Sequence, residues 1–203
     1  MELIFATNNQ HKATEINSLL GENWDVKSLS DLNFNDEIPE TGDTLEDNAL
    51  EKARYVHQLW GKNCFADDTG LEVEALQGAP GIFSARYAGE NKDSSKNIDK
   101  LLEELKGQSN RKARFRTVIA LIINGREFLF EGIVEGQILE NRKGNGGFGY
   151  DPVFKPDETD LSFAQMPLSE KNLISHRARA IEKLIDHLEN PLTSNSLTKT
   201  RPR

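Results

Sequence analysis

Several short stretches of this sequence gather side chains that could handle phosphate, a metal ion and a flat ring. Thr7-Asn8-Asn9-Gln10-His11-Lys12 brings a hydroxyl, amides, an imidazole and an ammonium together just after the apolar residues 3–6. A strand-to-helix junction there would aim backbone N–H groups and the positive end of a helix dipole at a phosphate. The plainer reading is a polar turn with Asn9 as helix cap, and no G-x-x-x-x-G-K-[ST] phosphate loop is present. Carboxylates crowd at Glu37, Glu40, Asp43, Glu46 and Asp47, where some acids merely complement the start of a helix. Asp67 and Asp68 close a strand-like run ahead of Thr69-Gly70. Neighbouring strand residues point to opposite faces, so only one of the two is expected in a given site. Two carboxylates from separate segments meeting at one point would suit Mg²⁺, which takes oxygen ligands and retains waters for phosphate chemistry.

Two further stretches suggest a pocket for a ring. Gly144-Asn145-Gly146-Gly147-Phe148-Gly149 satisfies G-x-G-x-x-G, but Tyr150-Asp151-Pro152 follows, and proline restrains the residue before it from helical geometry. A dinucleotide fingerprint must open a helix, so that reading fails on context. The glycines instead suggest backbone passing close to something flat, with Phe148 and Tyr150 as candidates to stack on it, and the plainer reading of the segment alone is a glycine loop with buried aromatics. Ser175-His176-Arg177 opens the last helical pattern, with Lys171 just upstream. Cations on a first turn oppose the helix dipole, which an anion or a carbonyl-rich ligand would compensate.

The elements that must position these groups alternate strand and helix and then give way to a long hairpin. Residues 3–6 read as a buried strand, followed by a helical stripe of Ala13, Ile16, Leu19 and Leu20, with Gly21 just past its end. A second helix opens at Thr44, where Thr44-Leu45-Glu46-Asp47 resembles a capping box with Asp for Glu, and its stripe is Leu45, Ala49, Ala53 and Val56. A third runs from Asp93 to Gly107, and the last begins near Ser175 and buries Ala178, Ile181, Leu184, Ile185 and Leu188. Residues 65–68 and 71–73 read as short strands on either side of Thr69-Gly70. Residues 115–123 and 127–139 flank Asn124-Gly125, a strong two-residue hairpin signal. The expected fold is α/β with a large mixed sheet and no internal repeat.

The 203 residues suit one domain, or one domain with two lobes, able to bury a full core. The polar residues 191–203 carry no stripe and are expected to lie outside a folded domain of residues 1–190. With 25 Lys+Arg against 33 Asp+Glu, the net charge of −8 argues against holding nucleic acid by nonspecific attraction, though not against a small anion held by placed cations. The longest apolar run, residues 118–123, is too short to cross a bilayer, and no secretory signal opens the chain. Cys64 is the only cysteine, so neither an internal disulfide nor a cysteine-rich zinc site can form. A cytoplasmic protein without membrane or nucleic-acid partners is expected.

In this order the motifs resemble the inosine triphosphatase family, pyrophosphatases that clear non-canonical purine nucleoside triphosphates such as ITP, dITP and XTP. The resemblance rests on T-x-N-x-x-K at residues 7–12, E-T-G-x-T with a following N-A at 40–49, and D-D-T-G-L at 67–71. It extends through G-A-P-G-I-F-S-A-R-Y-A-G at 78–89, G-G-F-G-Y-D-P at 146–152 and S-H-R at 175–177. It implies that Thr7, Asn8, Asn9, Gln10, His11 and Lys12, together with Lys52, grip the triphosphate. It implies that Glu40 and Asp68 hold Mg²⁺, with Asp68 also the proton acceptor for the attacking water, beside Thr69 where the family commonly has Ser. Phe148, Gly149, Tyr150 and Asp151, with Lys171, His176 and Arg177, would form the base pocket. The family further implies a homodimer and an elongated mixed sheet with flanking helices, forming two lobes around a nucleotide cleft. Asn8 for the commoner Gly and Leu45 for the commoner Phe remove no catalytic group.

The residues give that assignment a physical logic. Lys52 lies one turn after Asn48, so both project from one side of the second helix. With Lys12 they can offset triphosphate charge in an acidic protein. Three rivals remain: a pyrophosphatase for other modified nucleotides such as methylated pyrimidine triphosphates, a non-catalytic nucleotide sensor, and a nucleic-acid-binding module. The family-implied pocket argues for purines, the retained Glu40, Asp68 and Lys12 argue for turnover, and the net charge argues against nucleic acid.

Overall fold

The computed structural model describes residues 2–20 and 24–190; the expected cap at Gly21 and the expected tail at 191–203 lie outside the described residues. The described residues divide into two compact units, 2–20, 24–68, 117–132 and 177–190 in the first and 69–116 and 133–176 in the second. The mixed α/β architecture is as expected: one sheet has the strand order β2-β1-β3-β5-β6-β7, with β4 paired to β3.

In the first unit, β1 (Glu2–Phe5) pairs in parallel with β2 (Asp25–Ser28) and with the start of β3 (Cys64–Val73). Leu3, Ile4 and Phe5 are all buried, as befits a parallel strand covered on both faces. On one face, Ile16 and Leu20 of α1 (Gln10–Leu20) and Ala180, Ile181 and Leu184 of α5 (His176–Glu189) pack on Leu3, Phe5 and Phe65. The Phe5 and Phe65 rings stack at 4.7 Å. On the other face, α2 (Leu45–Trp60) buries the predicted stripe of Leu45, Ala49, Ala53 and Val56, and Cys64 Sγ lies 3.2 Å from the Ala53 carbonyl. Thr44 caps α2 through its hydroxyl, which accepts from the Asp47 N–H. The predicted box is not completed in the usual way: the Asp47 carboxylate accepts from the Thr44 hydroxyl at 2.8 Å, the short side chain staying with its neighbour's oxygen. The hairpin between β5 (Lys112–Ile123) and β6 (Arg126–Ile138) turns where predicted, with φ of 51° at Asn124 and 73° at Gly125.

In the second unit, the structure corrects the reading of two short strands around Thr69-Gly70: β3 runs unbroken from Cys64 to Val73. Gly70 makes room rather than a turn, since a Cβ there would sit 2.8 Å from the Gly81 carbonyl oxygen of β4 (Pro80–Gly81). The remaining elements are α3 (Ser94–Glu104), capped by Asp93, then β7 (Phe154–Pro156), antiparallel to β6, and the short α4 (Leu168–Ile174). Leu101, Leu105, Phe115, Val134, Phe154 and Phe163 lie at the centre of this unit's core. No helix among the described residues is long and apolar enough to cross a membrane.

Candidate active site

The alternation of β3 sends its two aspartates to different partners. Asp68 follows Cys64 and Ala66 onto the α2 side, and Asp67 follows Phe65 onto the side of α1 and α5. The two side chains part to opposite faces of the strand, as alternation requires.

On the α2 side, Lys52 is the hub. Its Nζ donates to Asp68 Oδ1 at 2.9 Å and to Glu40 Oε1 at 2.6 Å. One turn earlier, Asn48 Nδ2 donates to Asp68 Oδ2 at 3.3 Å while Asn48 Oδ1 accepts from the Gly42 N–H at 2.8 Å. The loop before α2 is held further by Glu51, whose carboxylate accepts from the Thr41 N–H and hydroxyl. Gly42 cannot carry a side chain, because a Cβ there would lie 2.7 Å from that of Asp47. Asn48, Lys52 and Glu51 therefore bring Glu40 and Asp68 to one point, which accounts for E-T-G-x-T and the following asparagine. Burial opposes the Lys52 charge, but Asp68 and Glu40 outweigh it and raise its pKa, so the ammonium persists. Burial raises the Asp68 pKa, and the opposing pull of Lys52 and Lys12 does not cancel it.

Two carboxylates within 3 Å of one cation form a donor set that fits Mg²⁺, which commonly takes one or two carboxylates and fills its shell with water and phosphate. Among the described residues no group of three or more His, Cys, Asp or Glu could form an all-protein metal cage.

On the other side, Asp67 Oδ1 accepts from Lys12 Nζ at 2.9 Å and Oδ2 from Arg177 Nε at 3.2 Å. The Arg177 guanidinium also donates to the Glu15 carboxylate. Burial would raise the Asp67 pKa, yet Lys12, Arg177 and Lys52 hold the carboxyl far below the usual range. Burial lowers the pKa of Lys12 in spite of Asp67. A correction follows for the last helix: carboxylates of the chain itself compensate Arg177 at the dipole's positive end, so that placement requires no ligand.

The helix start at residues 7–12 takes the plainer of its two expected forms, a polar turn with a cap. Asn9 caps α1 as predicted, its Oδ1 accepting from the N–H groups of His11 and Lys12, and the Asn9 N–H donates to the Thr7 hydroxyl. Those three backbone donors already have acceptors within the turn, so they are not simply presented to a phosphate. Thr7 is buried, Lys12 half-buried, and Asn8, Asn9, Gln10 and His11 are exposed.

In the second unit, Asp151 organises the glycine-rich segment. Its Oδ2 accepts from the Phe148 N–H at 2.8 Å and from Lys171 Nζ at 2.6 Å, and both Asp151 and Lys171 are buried. The Lys171 ammonium lies 5.1 Å from the centre of the Phe148 ring and 5.3 Å from that of Phe163. Gly147, at φ +67°, passes so close to Asp151 that a methyl would overlap its carboxylate. Tyr150 is no stacking platform: its ring belongs to the core and its hydroxyl donates to the Ser84 carbonyl at 2.8 Å. Phe148 and Gly149, by contrast, are half-buried. His176 is buried with its ring stacked 4.5 Å from Phe115. Thr69 follows Asp68 on β3 and is half-buried.

Sequence reasoning passed over Glu15, although a signal existed. It is an acid beside the buried stripe of α1 and one turn after Lys12, where burial demands a cation partner.

The Ham1 family model matches residues 3–187. A protein of Flavobacterium psychrophilum named dITP/XTP pyrophosphatase is 54% identical over 190 residues, covering 94% of this chain and 100% of that protein. A Bacillus subtilis protein of the same name is 48% identical over 192 residues, covering 93% and 97%. Among solved structures, the Staphylococcus aureus Ham1 protein superposes with a TM-score of 0.85 at 40% identity, covering 94% of this chain and all of that one. With the motifs of residues 7–12, 40–49 and 67–71 now accounted for by their contacts, the chain belongs to the Ham1 family.

Proposed function

We propose that this chain hydrolyses non-canonical purine nucleoside triphosphates (dITP, ITP and XTP) to the nucleoside monophosphate and pyrophosphate. The observation that carries the reading is the convergence of Glu40 and Asp68 on Lys52, tied together by Asn48, in a family whose relatives are named for this activity. Water attacks the α-phosphorus, its proton passes to an Asp68 carboxylate oxygen, and the bond to the bridging oxygen of the β-phosphate breaks. Lys52 and Lys12 offset the charge of the triphosphate, with Thr7 and residues 8–11 lining its approach. Glu40 and Asp68 would hold Mg²⁺, which when bound supplies charge to the phosphate oxygens and the leaving pyrophosphate. Catalysis is then mainly positioning and charge stabilisation.

Phe148, Gly149, Tyr150 and Asp151, with Lys171, His176 and Arg177, serve the nucleoside end, and Thr69 keeps a hydroxyl for the substrate beside Asp68. Phe148 supplies a half-exposed ring face, and Tyr150 contributes backbone only. Hypoxanthine and xanthine carry a carbonyl at C6, whereas adenine sets an amino donor against the pocket's donors. Each buried group left unpaired costs about 1–3 kcal/mol. Such a pocket can reject the mismatched base by about 10⁴-fold. The same reading takes residues 1–190 as the catalytic domain, 191–203 as a tail outside it, and the enzyme as a cytoplasmic homodimer. The deciding experiment is pyrophosphate release from ITP, dITP, XTP, GTP and ATP with and without Mg²⁺. Release favouring the first three and abolished by chelation supports the reading; ATP turnover equal to that of ITP contradicts it.

A further inference from the structure

Asp67 has only 1% of its side chain exposed, and it pairs with the cations Lys12 and Arg177. An isolated buried charge of this kind is strongly unfavourable, and here it is matched by a row of alternating charges across three elements. Glu15 and Lys12 lie on α1, Asp67 on β3 and Arg177 on α5, so two anions meet two cations. Asp67 gives one oxygen to each cation, and Glu15 holds Arg177 from its other side. Under the functional reading above, on which this inference rests, Lys12 serves the triphosphate and Arg177 serves the base.

We propose that Asp67 is a positioning residue that ties the phosphate-binding lysine to the base-reading arginine, so that one carboxylate sets both grip and selectivity. Without it Lys12 loses the acceptor that fixes its direction, and Arg177 is held from the Glu15 side alone. An amide in its place has a single acceptor oxygen and an NH₂ group. That NH₂ must face a donor from Lys12 or Arg177, and the negative charge that both cations face at position 67 is gone.

Asp67→Asn in the full-length enzyme is therefore read at both ends. The inhibition constant for inorganic pyrophosphate reports the Lys12 end. The ratio of kcat/KM for dITP to that for dATP reports the Arg177 end. Both are independent of the fraction of protein folded, so a merely structural role moves neither. Loss of a charge-assisted bond predicts pyrophosphate binding weaker by about 10- to 100-fold and a dITP lead narrowed by a similar factor. Lys12→Met should shift only the first readout and Arg177→Ala only the second.

If Arg177→Ala narrows the lead while Asp67→Asn moves one readout or none, the positioning role is overturned and the functional reading stands. If Arg177→Ala leaves the lead unchanged, the base-reading assignment falls, and the proposed link falls with it. Should Asp67→Asn not fold, Asp67→Glu, which keeps the charge but displaces the oxygens by a methylene in a closed site, is judged on the same readouts.

Discussion

Replacing Lys52 with methionine removes the cation on which Glu40 and Asp68 converge and keeps most of its apolar stem. Asp68, nearly buried, then faces Glu40 with like charge and without its principal donor. Breaking a buried pair by removing one partner costs about 3–5 kcal/mol. Glu40 has 31% of its side chain exposed, so water relieves part of the repulsion and the lower end applies, about 3 kcal/mol. For a fold of this size each kcal/mol shifts the melting point by roughly 2–4 °C, which gives a fall of roughly 6–12 °C. The same loss removes a preorganised donor at the triphosphate, worth about 10²–10³ in kcat. Scanning fluorimetry with and without Mg²⁺, alongside pyrophosphate release from dITP, measures both effects. Mg²⁺ should raise the variant's melting point more than the wild type's, because it binds the two carboxylates without a competing ammonium. A variant that melts within about 2 °C of wild type, or that Mg²⁺ leaves unmoved, would refute the convergence argument.

Asp68→Asn should lose about 10²–10⁴ in kcat while remaining folded and still binding nucleotide, as seen by calorimetry with dITP. Gly147→Ala should lower stability by about 1–3 kcal/mol in a denaturant titration, through positive φ and overlap with Asp151. Gly149→Ala, at φ +60° with no neighbour near its Cβ position, should lose less. His187 packs against Phe128 and Phe130, and burial together with Arg126 lowers its pKa below the ordinary 6.5. Its contribution to stability is therefore complete above pH 6.5 and lost as pH falls through the lower folded-state value. Melting curves of wild type should drop more steeply with acid than those of His187→Phe.

Periodicity made the helices legible because each buries a single stripe, as Leu45, Ala49, Ala53 and Val56 do on α2. The hairpin was equally plain, since Asn124-Gly125 adopts the two positive φ angles its chemistry favours. Gly70 misled because its missing side chain serves a close approach to β4, and a glycine's role as turn or as clearance depends on what lies across from it. For the site, the family resemblance of the ordered motifs named Glu40, Lys52 and Asp68, while alternation along β3 said only that the two aspartates part, not which of them joins Glu40. Internal satisfaction could not be read in advance. The pairing of Arg177 with Glu15 joins residues 162 positions apart, and that of Lys171 with Asp151 turns two expected ligand contacts into partners of each other. Tyr150 follows the plainer of its two readings, a buried aromatic, and nothing local tells an aromatic that faces a pocket from one that fills a core.

The position of bond cleavage tests the central claim most directly. Hydrolysis of dITP in oxygen-18 water, followed by mass spectrometry of the products, should place the label in deoxyinosine monophosphate and leave pyrophosphate unlabelled. Label in orthophosphate, with the nucleoside diphosphate as the other product, would mean attack at the γ-phosphorus and would contradict the assignment of Asp68, Glu40 and Lys52 to the α-phosphate.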